Sequence, residues 1–159
     1  MNDSSPRAPL SHWPVQLDVP GLGFVWYTQP ATFVNQLRIQ RATVDAAHRL
    51  HDVIDHVIAR EEADIAAHGG LLIVHDWRKL SGYQTDARRA FLDRMRAREA
   101  GYLRGAVAVV PKTPLLRMAV QTANVVMALR SGGQLEMSTS VGLVLAKHGI
   151  QKPRPGPWR

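Results

Sequence analysis

The spacing of apolar residues changes period several times along the chain, and each change marks an element. Gly23–Thr28 and Ala31–Arg38 are rich in β-branched and aromatic residues on either side of Gln29-Pro30, the pattern of a β-hairpin. From Thr43 the spacing becomes helical. Val44, Ala47, Leu50, Ile54, Val57, Ile58 and Ile65 form one stripe to about Ala67, and His68-Gly69-Gly70 stops it. Thr43 is placed to cap this helix, with Asp45 in its first turn where the helix dipole favours a negative charge.

A short uninterrupted run, Leu71–Val74, then ends in His75-Asp76, as a buried strand would. The polar turn Ser81-Gly82-Tyr83-Gln84 leads to a second helix that opens at Thr85 as its cap and runs from about Asp86 to Glu99, burying Ala87, Phe91, Leu92 and Met95. Gly105–Val110 reads as a central strand. Thr113-Pro114 starts a third helix reaching about Arg130, with Leu115, Met118, Ala119, Thr122, Val125, Val126 and Leu129 on the face expected to bury. Gln134–Ser138 is a last strand and Ser140–His148 a last short helix. Strands joined by helices predict an α/β fold: a mixed sheet of four to five strands with an opening hairpin and about four helices.

The proline-rich residues 1–22 are expected to form a flexible lead-in, residues 23–150 a single domain, and residues 151–159 a basic proline-rich tail that does not pack. With 159 residues and 45% hydrophobic content, one domain has ample apolar material for a core. The absence of cysteine excludes disulfides and thiolate chemistry. No apolar run approaches the roughly 18 residues of a membrane span, and the first residues lack the pattern of a signal peptide, so the default expectation is cytoplasmic.

Charge adds a contrast between helices. The net charge is +7, yet Asp45, Asp52, Asp55, Glu61, Glu62 and Asp64 make the first helix acidic. Arg78, Lys79, Arg88, Arg89, Arg94, Arg96, Arg98 and Arg104 make the region of the second helix basic. Such a dipolar surface can steer an acidic partner or pair copies of the chain, or it can be two solvated faces. Because the basic helix lies beside an acidic one and its aromatics are sparse, nucleic acid is not the expected partner.

Three stretches resemble the STAS-like domains, relatives of the bacterial anti-sigma-factor antagonists. Leu72-Ile-Val-His-Asp76 with Leu80 and Thr85 is similar to that family's strand ending in Asp and hydroxyl at the next helix start. Val107-Ala-Val-Val110 with Thr113-Pro-Leu-Leu-Arg-Met118, and Ser138-Thr139-Ser140 with Val144-Leu145-Ala146, look like its later strand–helix units. The resemblance covers about Phe24 to Ile150. It implies a signalling or regulatory module rather than an enzyme, with Thr85 at the position that a partner kinase phosphorylates in the antagonist branch. Tyr83-Gln84-Thr85-Asp86 departs from the family, which has an acidic residue and paired serines there.

Several residues are candidates for function. A second apolar stripe on the third helix, Leu116, Val120, Ala123 and Met127, exceeds what one face against a sheet needs. With Arg117 at its rim, and together with the loop from Lys79 to Thr85, it is a candidate surface for a protein partner or a homodimer, unless the same chain covers it. Thr85, with Asp76, Ser81 and Arg88 around it, is a candidate switch, since a phosphate there would meet a helix N-terminus and basic residues. His48, Asp52, Asp55 and His56 share a stripe that can in principle hold a metal, but their spacing matches no metal motif and suits ordinary surface pairs. His51 reads as a core-edge histidine. Asp76 is expected to accept backbone hydrogen bonds in the turn to Ser81. No nucleophile elbow or phosphate-binding glycine loop accompanies His75-Asp76, and no cofactor is implied. The expected function is therefore a non-catalytic regulatory protein–protein interaction module. The alternative is a module of the same fold that binds a small apolar ligand or lipid between helix and sheet.

Overall fold

A computed structural model of the chain describes residues 15–98, 101–114, 117, 118, 121 and 135–155. The strands are β1 (Val15–Val19), β2 (Gly23–Thr28), β3 (Thr32–Leu37), β4 (Arg41–Ala42), β5 (Leu71–Asp76), β6 (Gly82–Tyr83), β7 (Leu103–Val109), β8 (Leu135–Ser138) and β9 (Arg154–Pro155). The helices are α1 (Val44–Arg60), α2 (Glu62–Ala67), α3 (Thr85–Ala97) and α4 (Val141–Lys147). The class is α/β, and the main sheet is mixed. Strands β8, β7, β5 and β3 are parallel neighbours, and β3, β2 and β1 continue antiparallel.

The opening hairpin forms where it was expected, with Gly23 opposite Leu37 and Thr28 opposite Thr32. Gly23 could be no other residue: its φ is +143°, and an added Cβ would lie 2.1 Å from the Gln36 carbonyl oxygen. At the other end of the hairpin, Asp64 of α2 accepts the Ala31 N–H at 2.8 Å and the Tyr27 hydroxyl. This ties the turn, where Ala31 has a left-handed φ of 39°, to the helix behind it.

The sheet holds seven strands among the described residues, more than the four or five expected. The surplus comes from the two ends of the chain. Val15-Gln-Leu-Asp-Val19, within the expected lead-in, alternates apolar and polar residues, and pairs with β2 across the turn that Leu22 N–H closes on Val19 O. Arg154-Pro155, within the expected tail, pairs with β1 at the sheet edge, where a missing proline N–H interrupts no ladder.

Period-two alternation divides the core between the two faces of the sheet. Phe33 and Ile73 pack with Leu50 and Ile54 of α1, while Val34, Val74 and Val107 pack with Val144 and Leu145 of α4. Strand β5 is buried at every position because both its faces are covered. The first helix is capped as read, Thr43 Oγ1 accepting the Ala46 N–H at 3.1 Å, but it breaks at Glu61 into α1 and α2. The start of the third predicted helix is also as read: Pro114, Arg117, Met118 and Gln121 are helical, and the Arg117 N–H reaches Thr113 O at 3.3 Å. Met118, assigned to the buried face, is instead 64% exposed.

Candidate functional site

Helices α1 and α3 follow the adjacent parallel strands β3 and β5, so both begin at the carboxyl ends of those strands and lie side by side on one face. The crevice outside strand carboxyl ends is the usual ligand position in α/β sheets. Here it is an apolar pocket of about 100 Å³. Its helical walls are Ala46, Ala47 and Leu50 of α1 and Ala87, Phe91 and Leu92 of α3. Three alanines where the helices face one another leave the gap that larger residues would close. Leu22, Leu37 and Ile39 line it from the sheet side, and Trp77, Leu80 and Tyr83 from the loop after β5. The short β4–β6 pair holds that loop in place, with Ala42 opposite Tyr83 and both the N–H and Oγ of Ser81 donating to Gln40 O at 2.8 and 3.1 Å. Arg88 supplies the one charged side chain in the lining, and it has no carboxylate partner among the described residues.

Further along, the same pair of helices is joined by ions. Arg94 Nη2 lies 2.7 Å from Asp52 Oδ1 and 2.8 Å from Asp55 Oδ2. Arg98 Nε donates to Asp55 Oδ1 at 2.7 Å, and its Nη2 donates to the His51 carbonyl at 3.0 Å. The acidic and basic helices thus face each other within one molecule. Of the opposite charges read in the sequence, Arg94 and Arg98 are matched here by Asp52 and Asp55. The pairing also accounts for Asp52 and Asp55, considered as metal ligands. Among the described residues no group of three or more acidic or histidine side chains is arranged to hold a metal. Asp55 titrates below the usual range: burial alone would raise it, but the hydrogen bonds from Arg94 and Arg98 outweigh that.

Beneath this seam lie two buried histidines. His51 is 1% exposed, a core residue and not the core-edge one expected. Arg98 Nη1 donates to its Nδ1 at 2.6 Å. Burial, followed by the charge of Arg98, pushes its pKa down to about 3. His75 sits on β5 with its Nδ1 2.9 Å from Asn35 Nδ2, and burial pushes it down to about 3 as well. The rings of His51, His75 and Trp77 all surround Phe91 or one another, with centroids 4.7 to 5.8 Å apart.

The candidates named from the sequence lie unevenly about this site. Arg88 lines the pocket. Thr85 is the first helical residue of α3 rather than its cap, which is Gln84, and its side chain is exposed. Asp76 is buried and accepts the Arg78 N–H at 3.2 Å; Arg78 Nε and Nη2 clamp its two oxygens at 2.8 and 2.9 Å, and Gln36 adds a bond at 3.3 Å. The Arg78 N–H is the backbone bond expected of Asp76 in the turn to Ser81, and at the far end of that turn Ser81 bonds to Gln40 O. Arg117 is exposed. Leu116, Val120, Ala123 and Met127 lie outside the described residues.

An apolar cavity between helix and sheet belongs to the alternative reading of the sequence, but that reading places it on no particular elements, and the pocket lies between two helices above the sheet. Leu22 and Trp77 lie on loops with no periodicity to expose them, while Leu80 and Tyr83, the latter on β6, fall within the stretch from Lys79 to Thr85 expected to meet a partner. The one available signal was the alanine at matching places on two neighbouring helices. A scan of protein-family models and searches of curated proteins and of solved structures find no match to this chain.

Proposed function

We propose that this chain is a non-catalytic binding module whose α1–α3 pocket takes a small apolar molecule. The observation that carries the reading is the pocket: about 100 Å³ of almost wholly apolar lining at the strand carboxyl ends. Apolar concavities with a few polar groups are the usual form of small-molecule sites. A non-catalytic role is also what the resemblance to STAS-like domains implies. The test is a methyl NMR titration with α-methylstyrene, a small uncharged hydrocarbon. Saturable shifts are expected at the methyls of Leu50, Leu80 and Leu92, and none at Val34 or Val144 across the sheet. Absence of a saturable shift at the pocket methyls overturns the reading.

A second reading, a protein–protein module switched at Thr85 or by dimerisation, is favoured by the exposed position of Thr85 on the first turn of α3. A phosphate there would meet the unpaired N–H groups of a thirteen-residue helix, with Arg88 one turn on. Light scattering decides it: a dimer lost in Val120→Glu or in Thr85→Glu supports this reading, and a monomer in wild type and both variants counts against it.

A further inference from the structure

Glycine inside a strand weakens it and leaves nothing to pack, so its presence there calls for a reason. Gly23 and Gly70 have theirs in the backbone: both have a positive φ, and an added Cβ would meet backbone atoms at 2.1 and 2.7 Å. Gly105, inside β7, has neither constraint. A Cβ there would meet only Leu72 Cδ1, at an ordinary 3.5 Å. What the missing side chain leaves is space. A cavity of about 250 Å³ lies there, at the amino ends of the parallel strands. Leu72 and Val107, which line it, belong to the cluster under α4, so it opens on the face of the sheet away from the α1–α3 pocket. Thr32 of β3, Glu136 of β8 and His148 at the end of α4 complete its walls.

The chain also spends an extra residue at this place. Leu71 pairs with Leu103 and Leu72 with Gly105, so Arg104 is a bulge without an opposite residue on β5. Bulges re-aim side chains and are frequent beside functional sites. Arg104 lines the cavity and is exposed. Its Nη2 donates at 3.3 Å to Pro30 O, a carbonyl that also accepts from Thr32 Oγ1 at 2.8 Å. Pro30 lines the cavity too, which puts the guanidinium at its rim. No carboxylate among the described residues meets Arg104. Glu136, the carboxylate in the lining, is taken: Lys147 Nζ lies 2.6 Å from its Oε1, and His148 Nε2 lies 3.6 Å from its Oε2. A positive charge is left over beside an apolar floor. The arginine fork fits a carboxylate with two parallel bonds, and the space approaches that of ordinary small-molecule sites.

We propose that this cavity is a second binding site, for a small carboxylate with a compact apolar body. The anion takes the uncommitted N–H groups of Arg104, and the body lies on Gly105 between Leu72 and Val107. An inorganic anion would leave the apolar floor bare, and a neutral molecule would leave Arg104 without a counter-charge. The site lies across the sheet from the α1–α3 pocket and does not depend on it.

The test is an NMR titration of the full chain with three probes: benzoate, benzyl alcohol and inorganic phosphate. Benzoate is expected to shift the Leu72 and Val107 methyls and the Gly105 N–H saturably. It should bind about tenfold tighter than benzyl alcohol, the worth of a charge-assisted hydrogen bond, and at least about tenfold tighter than phosphate. Arg104→Gln should bring benzoate down to the affinity of the alcohol and leave the alcohol within about twofold. Gly105→Val, which fills the space with a residue suited to a strand, should abolish benzoate binding without lowering the thermal midpoint. If that variant does not fold, Arg104→Gln and the three probes still decide. Benzoate no tighter than the alcohol, or unchanged in Arg104→Gln, overturns the carboxylate assignment, and phosphate as tight as benzoate overturns the apolar body. Benzoate binding unchanged in a folded Gly105→Val overturns the location. Shifts confined to the methyls of Leu50, Leu80 and Leu92 overturn this site and leave the α1–α3 pocket standing. The absence of a saturable shift at Leu72 and Val107 overturns it whatever α-methylstyrene does across the sheet.

Discussion

Helices α1 and α3 meet in two different ways along one seam. Near their N-termini they present alanine to alanine, with an apolar gap between them. A turn or two further on, Arg94 and Arg98 reach across to Asp52 and Asp55 and close the gap. The same two helices on the same sheet thus form an opening and a lock, and the difference lies in side-chain volume and charge. An apolar gap between two free helices would tend to collapse, because dispersion contacts improve as the walls approach. The ion pairs and the short β4–β6 pair oppose that collapse by holding the helices and the loop above them at a set distance.

The largest expected effect is on the locked end, through pH. His51 and His75 are each held at about 3, against about 6.5 in an unfolded chain. His51 is pushed down by burial, Arg98, His75 and Arg94, and only Asp55 acts the other way. Between those values the unfolded chain binds two more protons than the folded one, so stability falls as pH falls. The loss begins near pH 6.5 and approaches about 2.7 kcal/mol per pH unit in the middle of that window. Urea midpoints from pH 7.5 to 4 measure it. A flat profile would mean that both rings charge in place, and the seam would not be the dry, closed contact described.

Next in size is the lock itself. Arg98→Ala removes a side chain that is only 10% exposed, leaving His51 Nδ1 and one oxygen of Asp55 unpaired, at a cost of about 2–3 kcal/mol. Arg94→Ala, whose partners are mostly solvated, should cost about 0.5–1 kcal/mol. Denaturant unfolding of the two variants checks the order. Equal losses would show that burial of the arginine does not separate them.

The smallest effect belongs to the open end, and its sign is reversed. Ala47→Leu should fill part of the gap, raise stability by about 0.5–1 kcal/mol and weaken hydrocarbon binding at least tenfold. Thermal unfolding and the methyl titration measure the two outcomes together. A destabilised variant would show that the pocket is already packed too tightly for a leucine.

Much of this architecture could be read from the chain because the signals are local. The hairpin around Gln29-Pro30, the Thr43 cap, the buried Leu71–Val74 run and the Ser140 start of α4 each follow from residues within a turn or two of one another. The readings that failed were set by competition with distant residues. Proline at positions 14 and 20 hid the alternation of β1, whose strand character depends on β2 being present to pair with it. Thr85 has the chemistry of a cap, yet the chain turns one residue earlier because the Gln84 N–H is held by Ala42 O.

Sequence alone determined the opening hairpin, the buried strands that follow Gly70 and Arg104 and the helices that follow Thr43 and Gln84, and that one of those helices is acidic and the next basic, because periodicity and charge are properties of neighbouring residues. The tertiary structure decided that those two helices lock at one end and part at the other, and that His51 faces inward between them. Arg98 and His51 are 47 positions apart, and no local pattern records that an arginine will present its proton to that ring. The seam is a sum of contacts between distant parts of the chain, so its shape exists only once the sheet has set the two helices side by side.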